Sequence, residues 1–197
     1  MSSWARGLWL GAALGAASAG CGRVQAWFGE PQADVLAPLR HAADGVSFDY
    51  AGNWTLRAEP GQAEVDLQTL VLESRGDALM LVQVFRPALV IDLDEHLALT
   101  MGTLVADFAA RGGGVAEVET GPVTAFERVW LGERRAARRA SIRVAMPGEE
   151  ADSAIELFAA SLADRTVLVF TMVPDAGRAQ AAAGFDRVLD TMTIAAS

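Results

Sequence analysis

The sequence predicts an α+β domain in which an antiparallel β-sheet is flanked by two main amphipathic helices. Three observations carry this. Several runs alternate apolar and polar residues, as half-buried strands do. Short turn signals separate those runs, and strands joined by tight turns pair antiparallel. Two segments with helical spacing, one after each block of strands, supply apolar stripes that suit the faces of such a sheet.

The first strand is read at "GVSFDY", where Val46, Phe48 and Tyr50 alternate with polar neighbours. Ala51-Gly52-Asn53 is turn chemistry, and Trp54 with Leu56 resumes the alternation. "EVDLQTLVLES" and "DALMLVQVFR" follow as two strands separated by Ser74-Arg75-Gly76-Asp77, a hairpin signal.

The period then changes. In "DLDEHLALTMGTLVADFAARGGG", Leu97, Met101, Leu104, Val105 and Phe108 recur on one helical face. Asp92 is placed to cap this helix with Glu95 three residues on, and Gly112 to end it.

Further strands are read at "VAEVET", "VTAFERVW", "AARRASIRVAM", "SAIELFAASL" and "RTVLVFTMV". Pro174-Asp175 opens a second helix with Ala182, Phe185, Val188 and Leu189 facing inward, and "TMTI" closes the chain.

The N-terminus carries a different signal. Gly7 through Gly22 has no charged residue, Leu8, Trp9, Leu10 and Leu14 lie among small residues, and Arg6 precedes them. This is the charge, apolar, small-residue order of a secretory leader. Its apolar part is shorter than the roughly 20 residues that span a bilayer core. The only cysteine of the chain, Cys21, follows directly.

The expected organisation is therefore a leader over residues 1–20, a lipidated cysteine and tether over 21–43, and one globular domain over 44–197. A helical turn is expected around Leu36 to Ala42 within the tether. Trp27-Phe28 would rest on the membrane or on the domain.

"SAGC" resembles the lipobox of bacterial lipoproteins, in which a peptidase cuts before a diacylated cysteine. Ala19 and Gly20 fit that pattern, whereas Ser18 stands where the family carries Leu, Val or Ile. The resemblance implies acylation of Cys21, and two or more acyl chains anchor stably where one is marginal. It also explains an unpaired thiol in an exported chain. Gly22 after the cysteine, rather than Asp, implies outer-membrane sorting if the host is Gram-negative. The localisation expected is thus the cell envelope, facing the periplasm or exterior.

Charge narrows the partners. The chain has 25 acidic residues against 16 basic ones, and every basic residue is arginine. Loss of the leader removes only Arg6, leaving a net charge of −10. A nucleic-acid binder would need positive surface to neutralise phosphates. Adhesion to anionic lipid by charge alone is disfavoured for the same reason.

"VSFDYAGNWTL", the Leu97–Phe108 helix, "LGERRAARRASI", "RTVLVFTMV" and "FDRVLDTMTI" together resemble the Mog1/PsbP-like superfamily, nearest its DcrB-like envelope lipoproteins. Those domains carry a Tyr-Pro-x-x-Trp-like turn after the aromatic strand, and here Ala51 replaces the proline. Gly132 and Ala136 match a glycine–alanine element after the first helix. The resemblance spans Val46 to Ile194 and implies an α/β/α sandwich serving as an accessory or binding module. It supplies no catalytic set.

The remaining chemistry is sparse. Asp92, Asp94, Glu95 and His96 cluster, but capping and the helix macrodipole account for the carboxylates, and no metal or other cofactor is expected. No G-x-S-x-G elbow is present, and an enzyme is not expected.

"GERRAARRASIR" is the most conspicuous polar feature. On a strand, Arg135, Arg139 and Arg143 share one face with Ser141, opposite Ala136, Ala140, Ile142 and Val144, with Arg138 as an exception. A row of guanidiniums can clamp an anion or a partner carboxylate, or it can balance nearby acids on a solvated face.

Two functions follow: a non-catalytic interaction module with an envelope protein partner, or a carrier of a small hydrophobic ligand between sheet and helix. Met80, Met101, Met172 and Met192 would line the carrier's cavity.

Overall fold

The structure, a computed structural model, describes residues 31–59, 66–111, 117–146 and 149–195. Cys21, the leader, Trp27-Phe28 and Gly112 lie outside them, as does the side chain of Phe108. Two helices, α1 (Leu93–Arg111) and α2 (Arg178–Thr191), lie on opposite faces of a large antiparallel sheet. A 3-10 turn, Asp175–Gly177, leads into α2.

Among the described residues the strands are β1 (Leu39–Ala43), β2 (Val46–Tyr50), β3 (Thr55–Glu59), β4 (Asp66–Glu73), β5 (Leu79–Arg86), β6 (Glu117–Thr120), β7 (Thr124–Trp130), β8 (Glu133–Met146), β9 (Glu149–Ser161), β10 (Thr166–Pro174) and β11 (Thr193–Ile194). The large sheet runs β3-β4-β5-β10-β9-β8-β6, and β7 also pairs with β8. β7 holds the first half of β8, with Trp130 opposite Glu133, and β6 holds the second, with Val118 opposite Val144.

The alternation of strand side chains builds two cores from one sheet. Leu70, Leu72, Met80, Val82, Val169 and Phe158 point to the α2 side, where Phe185, Val188 and Leu189 meet them. Their immediate neighbours Val71, Leu81, Leu168 and Leu157 point to the α1 side, against Leu97, Met101 and Leu104. Strand β5 is buried on both faces, so its sequence is nearly continuous in apolar residues. Each leucine fully buried in this way contributes about 2 kcal/mol.

Local chemistry sets the boundaries. Asp92 Oδ1 accepts from the amides of Asp94 (2.9 Å) and Glu95 (3.1 Å), capping α1 as the sequence predicts. In the β4–β5 turn, Ser74 Oγ accepts from the amides of Gly76 and Ala78.

A second, three-stranded sheet in the order β1-β2-β11 packs beside α2. This corrects the expectation for the supposed tether. Residues 39–43 form a strand rather than a helical turn, with Leu39 opposite Tyr50 and Ala43 opposite Val46. Just before it, the amide of Ala33 donates to Gln180 O, and Asp34 O accepts from the amide of Gly52. Residues 31–43 are thus pinned to the folded unit.

One further correction concerns α2. Ala182 is exposed, and the buried face is Ala181, Gly184, Phe185, Val188 and Leu189. The interior small residue Gly184 lies against the indole of Trp54.

The direction of each strand gives the domain two distinct ends. One end gathers the β4–β5 turn, the start of α2 and the point where residues 31–34 join. The other gathers the β7–β8 turn, the β9–β10 turn, the end of α2, and β11.

Candidate functional site

Strand β8 carries the arginine row. Its odd-numbered residues lie on the α2 side, where Ala137 joins that core, and its even-numbered Ala140, Ile142 and Val144 join the α1 core. Arg135, Arg139 and Arg143 therefore share a face, as expected. Ala136 is exposed rather than packed.

Each of the three guanidiniums meets acids or backbone. Arg135 Nε donates to Trp130 O at 3.1 Å, and its Nη2 lies 2.9 Å from Glu133. Arg139 Nε donates to Glu156 at 2.9 Å, and its guanidinium sits 4.8 Å from the ring centre of Phe126. Arg143 donates to Asp152 at 2.8 Å and lies within 4 Å of Glu119 and Glu150. Register explains this, because Arg139 is directly opposite Glu156, and Arg143 is opposite both Asp152 and Glu119.

Those hydrogen bonds hold the Asp152 carboxyl below its usual range and raise Arg143. The row is a cross-strand ion-pair ladder. An incoming anion would compete with carboxylates already in place.

Arg138 is not an exception to the alternation. It belongs to the α1 face and grips Asp94 at the start of α1 through two hydrogen bonds of 2.6 and 2.8 Å. The Arg138 bond depresses the Asp94 carboxyl. With Asp92 capping and Asp94 paired, the acidic cluster is used structurally. His96 Nε2 is buried without a hydrogen-bond partner, and burial lowers its pKa. Among the described residues no three His, Cys, Asp or Glu side chains are grouped as metal ligands would be.

The methionines expected to share a cavity are divided by the sheet. Met80 and Met192 belong to the α2 side, and Met101 and Met172 to the α1 side.

A cleft of about 650 Å³ opens at the end of the sheet where the β7–β8 and β9–β10 turns meet the end of α2. Val129, Trp130, Leu131, Leu162, Met192 and Ile194 give it an apolar lining. Val129 is 67% exposed, whereas Trp130 is 2% exposed and packs edge-to-face on Phe158, with ring centres 5.3 Å apart. Leu131 (φ 51°) and Gly132 (φ 75°) make the tight turn that brings this wall round. Asp190 is the only charged residue in the lining. Sequence spacing did not reveal the cleft, because its residues come from three separate segments, 129–132, 162 and 189–194.

No protein-family model matches the chain, and no curated protein matches it. Among solved structures it is similar to the cyanobacterial PsbP protein CyanoP from Synechocystis sp. PCC 6803. That match has 13% identity and a TM-score of 0.50, covering 81% of this chain and 93% of CyanoP.

The fold is PsbP-like. This agrees with the fold implied by the sequence resemblance. The sheet is larger and the domain richer in strand than a plain two-helix sandwich suggests.

LpqN of Mycobacterium tuberculosis, described as involved in cell envelope biogenesis, matches at 15% identity and a TM-score of 0.41, covering 81% of this chain and 90% of LpqN. A Mog1 mutant matches at 12% identity and 0.39, covering 80% and 95%.

Proposed function

We propose that this PsbP-like chain is a non-catalytic accessory module of the cell envelope, anchored through acyl chains on Cys21 and engaging an envelope protein. The observation that carries the reading is the position of the apolar cleft at the end of the domain opposite the one where residues 31–34 join. Helix α2 spans the two places, from Gln180 at the joining end to Asp190 in the cleft, ten residues or about 15 Å at roughly 1.5 Å per residue. A lipid at Cys21 would hold one end near the bilayer and leave the cleft free at the other.

Two further features support it. The polar residues that first suggest chemistry are engaged in capping and cross-strand pairing. The lipobox-like "SAGC" supplies the attachment point at Cys21, and among the described residues no helix is long and apolar enough to cross a membrane. A carrier has less support, since the methionines divide between two cores and the cleft is open rather than enclosed.

Growth of the host with an alkyne-bearing palmitate analogue tests the anchor. The expected result is label on the wild-type chain in the membrane fraction, with Cys21→Ala unlabelled and released. An unlabelled wild-type chain overturns the reading.

A further inference from the structure

The cleft combines three groups that a partner could satisfy. Its lining side chains are apolar apart from Thr193 and Asp190, and among the described residues no arginine pairs with the Asp190 carboxylate. Neighbouring acids differ, since Asp186 is held by Arg128 and Glu133 by Arg135. An unneutralised carboxylate beside apolar surface is complementary to a cation on an apolar stem, such as an arginine or lysine side chain.

The second group is Trp130. Its indole Nε1 is buried without an acceptor, although the ring is almost fully covered. Buried polar groups are nearly always paired, so this donor would gain a carbonyl or similar oxygen only where the cleft wall shifts to admit one.

The third is backbone. Among the described residues β11 pairs only with β2, through Thr193 opposite Ser47 and Ile194 opposite Val46, and forms the edge of its sheet. In an antiparallel pair, successive residues alternate in directing N–H and C=O toward or away from the partner. One of the two therefore offers both groups to a further strand, and both residues line the cleft. Strand addition to such an edge is an established mode of peptide recognition.

We propose that this cleft binds an extended segment of a partner protein in which apolar and basic side chains alternate. The apolar residues occupy the exposed surface of Val129, Leu131, Leu162 and Ile194, and a basic residue meets Asp190. A small ligand is usually buried over most of its surface, which an open cleft does not provide. The inference deepens the reading above and rests on it. Acylation of Cys21 and peptide binding can nevertheless fail independently, so their tests remain distinct.

The test uses the full chain and three fluorescent ten-residue peptides at 150 mM salt, read by anisotropy. One alternates Leu and Arg, the second Ser and Arg, and the third Leu and Glu. The Leu/Arg peptide should bind best and shift the amide resonances of Asp190, Thr193 and Ile194 together with the Trp130 indole N–H. Asp190→Asn should weaken it about fivefold, as expected for one exposed ion pair, without moving the melting temperature. Asp190→Arg should reverse the preference toward Leu/Glu.

Equal binding of Ser/Arg would mean attraction to net charge alone and would overturn the proposal. So would absent binding, resonance shifts away from the cleft, or a cleft that responds only to a fatty acid such as dodecanoate.

Discussion

The indole of Trp54 occupies the space that a side chain on Gly184 would need: a Cβ there would lie 2.5 Å from Trp54 Cζ2 and 2.8 Å from Cη2. Trp54 is also edge-on to Phe185, with ring centres 5.2 Å apart. The tryptophan after the first turn is thus fitted to the second helix near the far end of the chain.

Gly184→Ala sets two effects against each other. Alanine improves helix propensity by about 1 kcal/mol, whereas overpacking against a rigid indole costs about 1–3 kcal/mol. The clash should win, lowering stability by about 1–2 kcal/mol in a urea titration. Trp54→Phe in the Gly184→Ala background should cost less than Trp54→Phe alone, because neighbours in contact couple. Additive effects would show that the two residues do not share this space.

Gly52→Ala should act locally. Its added Cβ would lie 2.2 Å from the backbone carbonyl oxygen of Ala37, which has no flexible end to yield. The expected outcome is release of residues 31–38, read as faster hydrogen exchange at Ala33 and Gly52 and as new protease cleavage around Leu36. Unchanged exchange at Ala33 would show that the segment is held by other contacts.

Acid should weaken the fold from near neutrality downward. Burial lowers the pKa of His96, and of His41 despite the opposing charge of Asp44, so the unfolded chain binds protons first. Stability is therefore full above the ordinary histidine pKa of about 6.5 and declines as pH falls through the lowered folded values. Asp94 and Asp152, both depressed by arginine hydrogen bonds, extend the loss below the ordinary carboxylate range. Glu73, raised chiefly by burial, works in the opposite sense, favouring the fold at low pH. Melting temperature should fall from pH 7 to pH 5, and less steeply in His96→Phe. An identical slope in that variant would remove His96 as a contributor.

The arginines of β8 should separate by burial. Arg135→Ala removes a side chain only 14% exposed, together with its bond to Trp130 O, and should cost about 1–2 kcal/mol. Arg143 is about half exposed, and its replacement should have a small effect that disappears in high salt. Equal losses for both would contradict the ladder's graded burial.

The sequence made the strands and helices legible where burial was one-sided or periodicity sustained, as in "TLVLES" against "LMLVQVF" and in the Leu97–Leu104 stripe. It misled at residues 39–43, because "LRHAA" has no strand period of its own and becomes a strand only by pairing with β2. At α2, alanines on both sides of the face hid which one was buried, and Gly184 gave no hydrophobic signal although its smallness is what the packing requires. The arginine row was visible, but not the partners that register brings from β6, β9 and the end of β7.

The separation between the joining end and the cleft sets a working radius. With Cys21 acylated, the ten residues from there to Pro31 could extend at most about 35 Å, and the run of α2 from Gln180 to Asp190 adds about 15 Å. Such a lever would sweep its tip through a dome about 50 Å high. A docking sequence on a neighbouring membrane protein would then meet that tip at the raised local concentration of a tethered reaction, not by diffusion from solution.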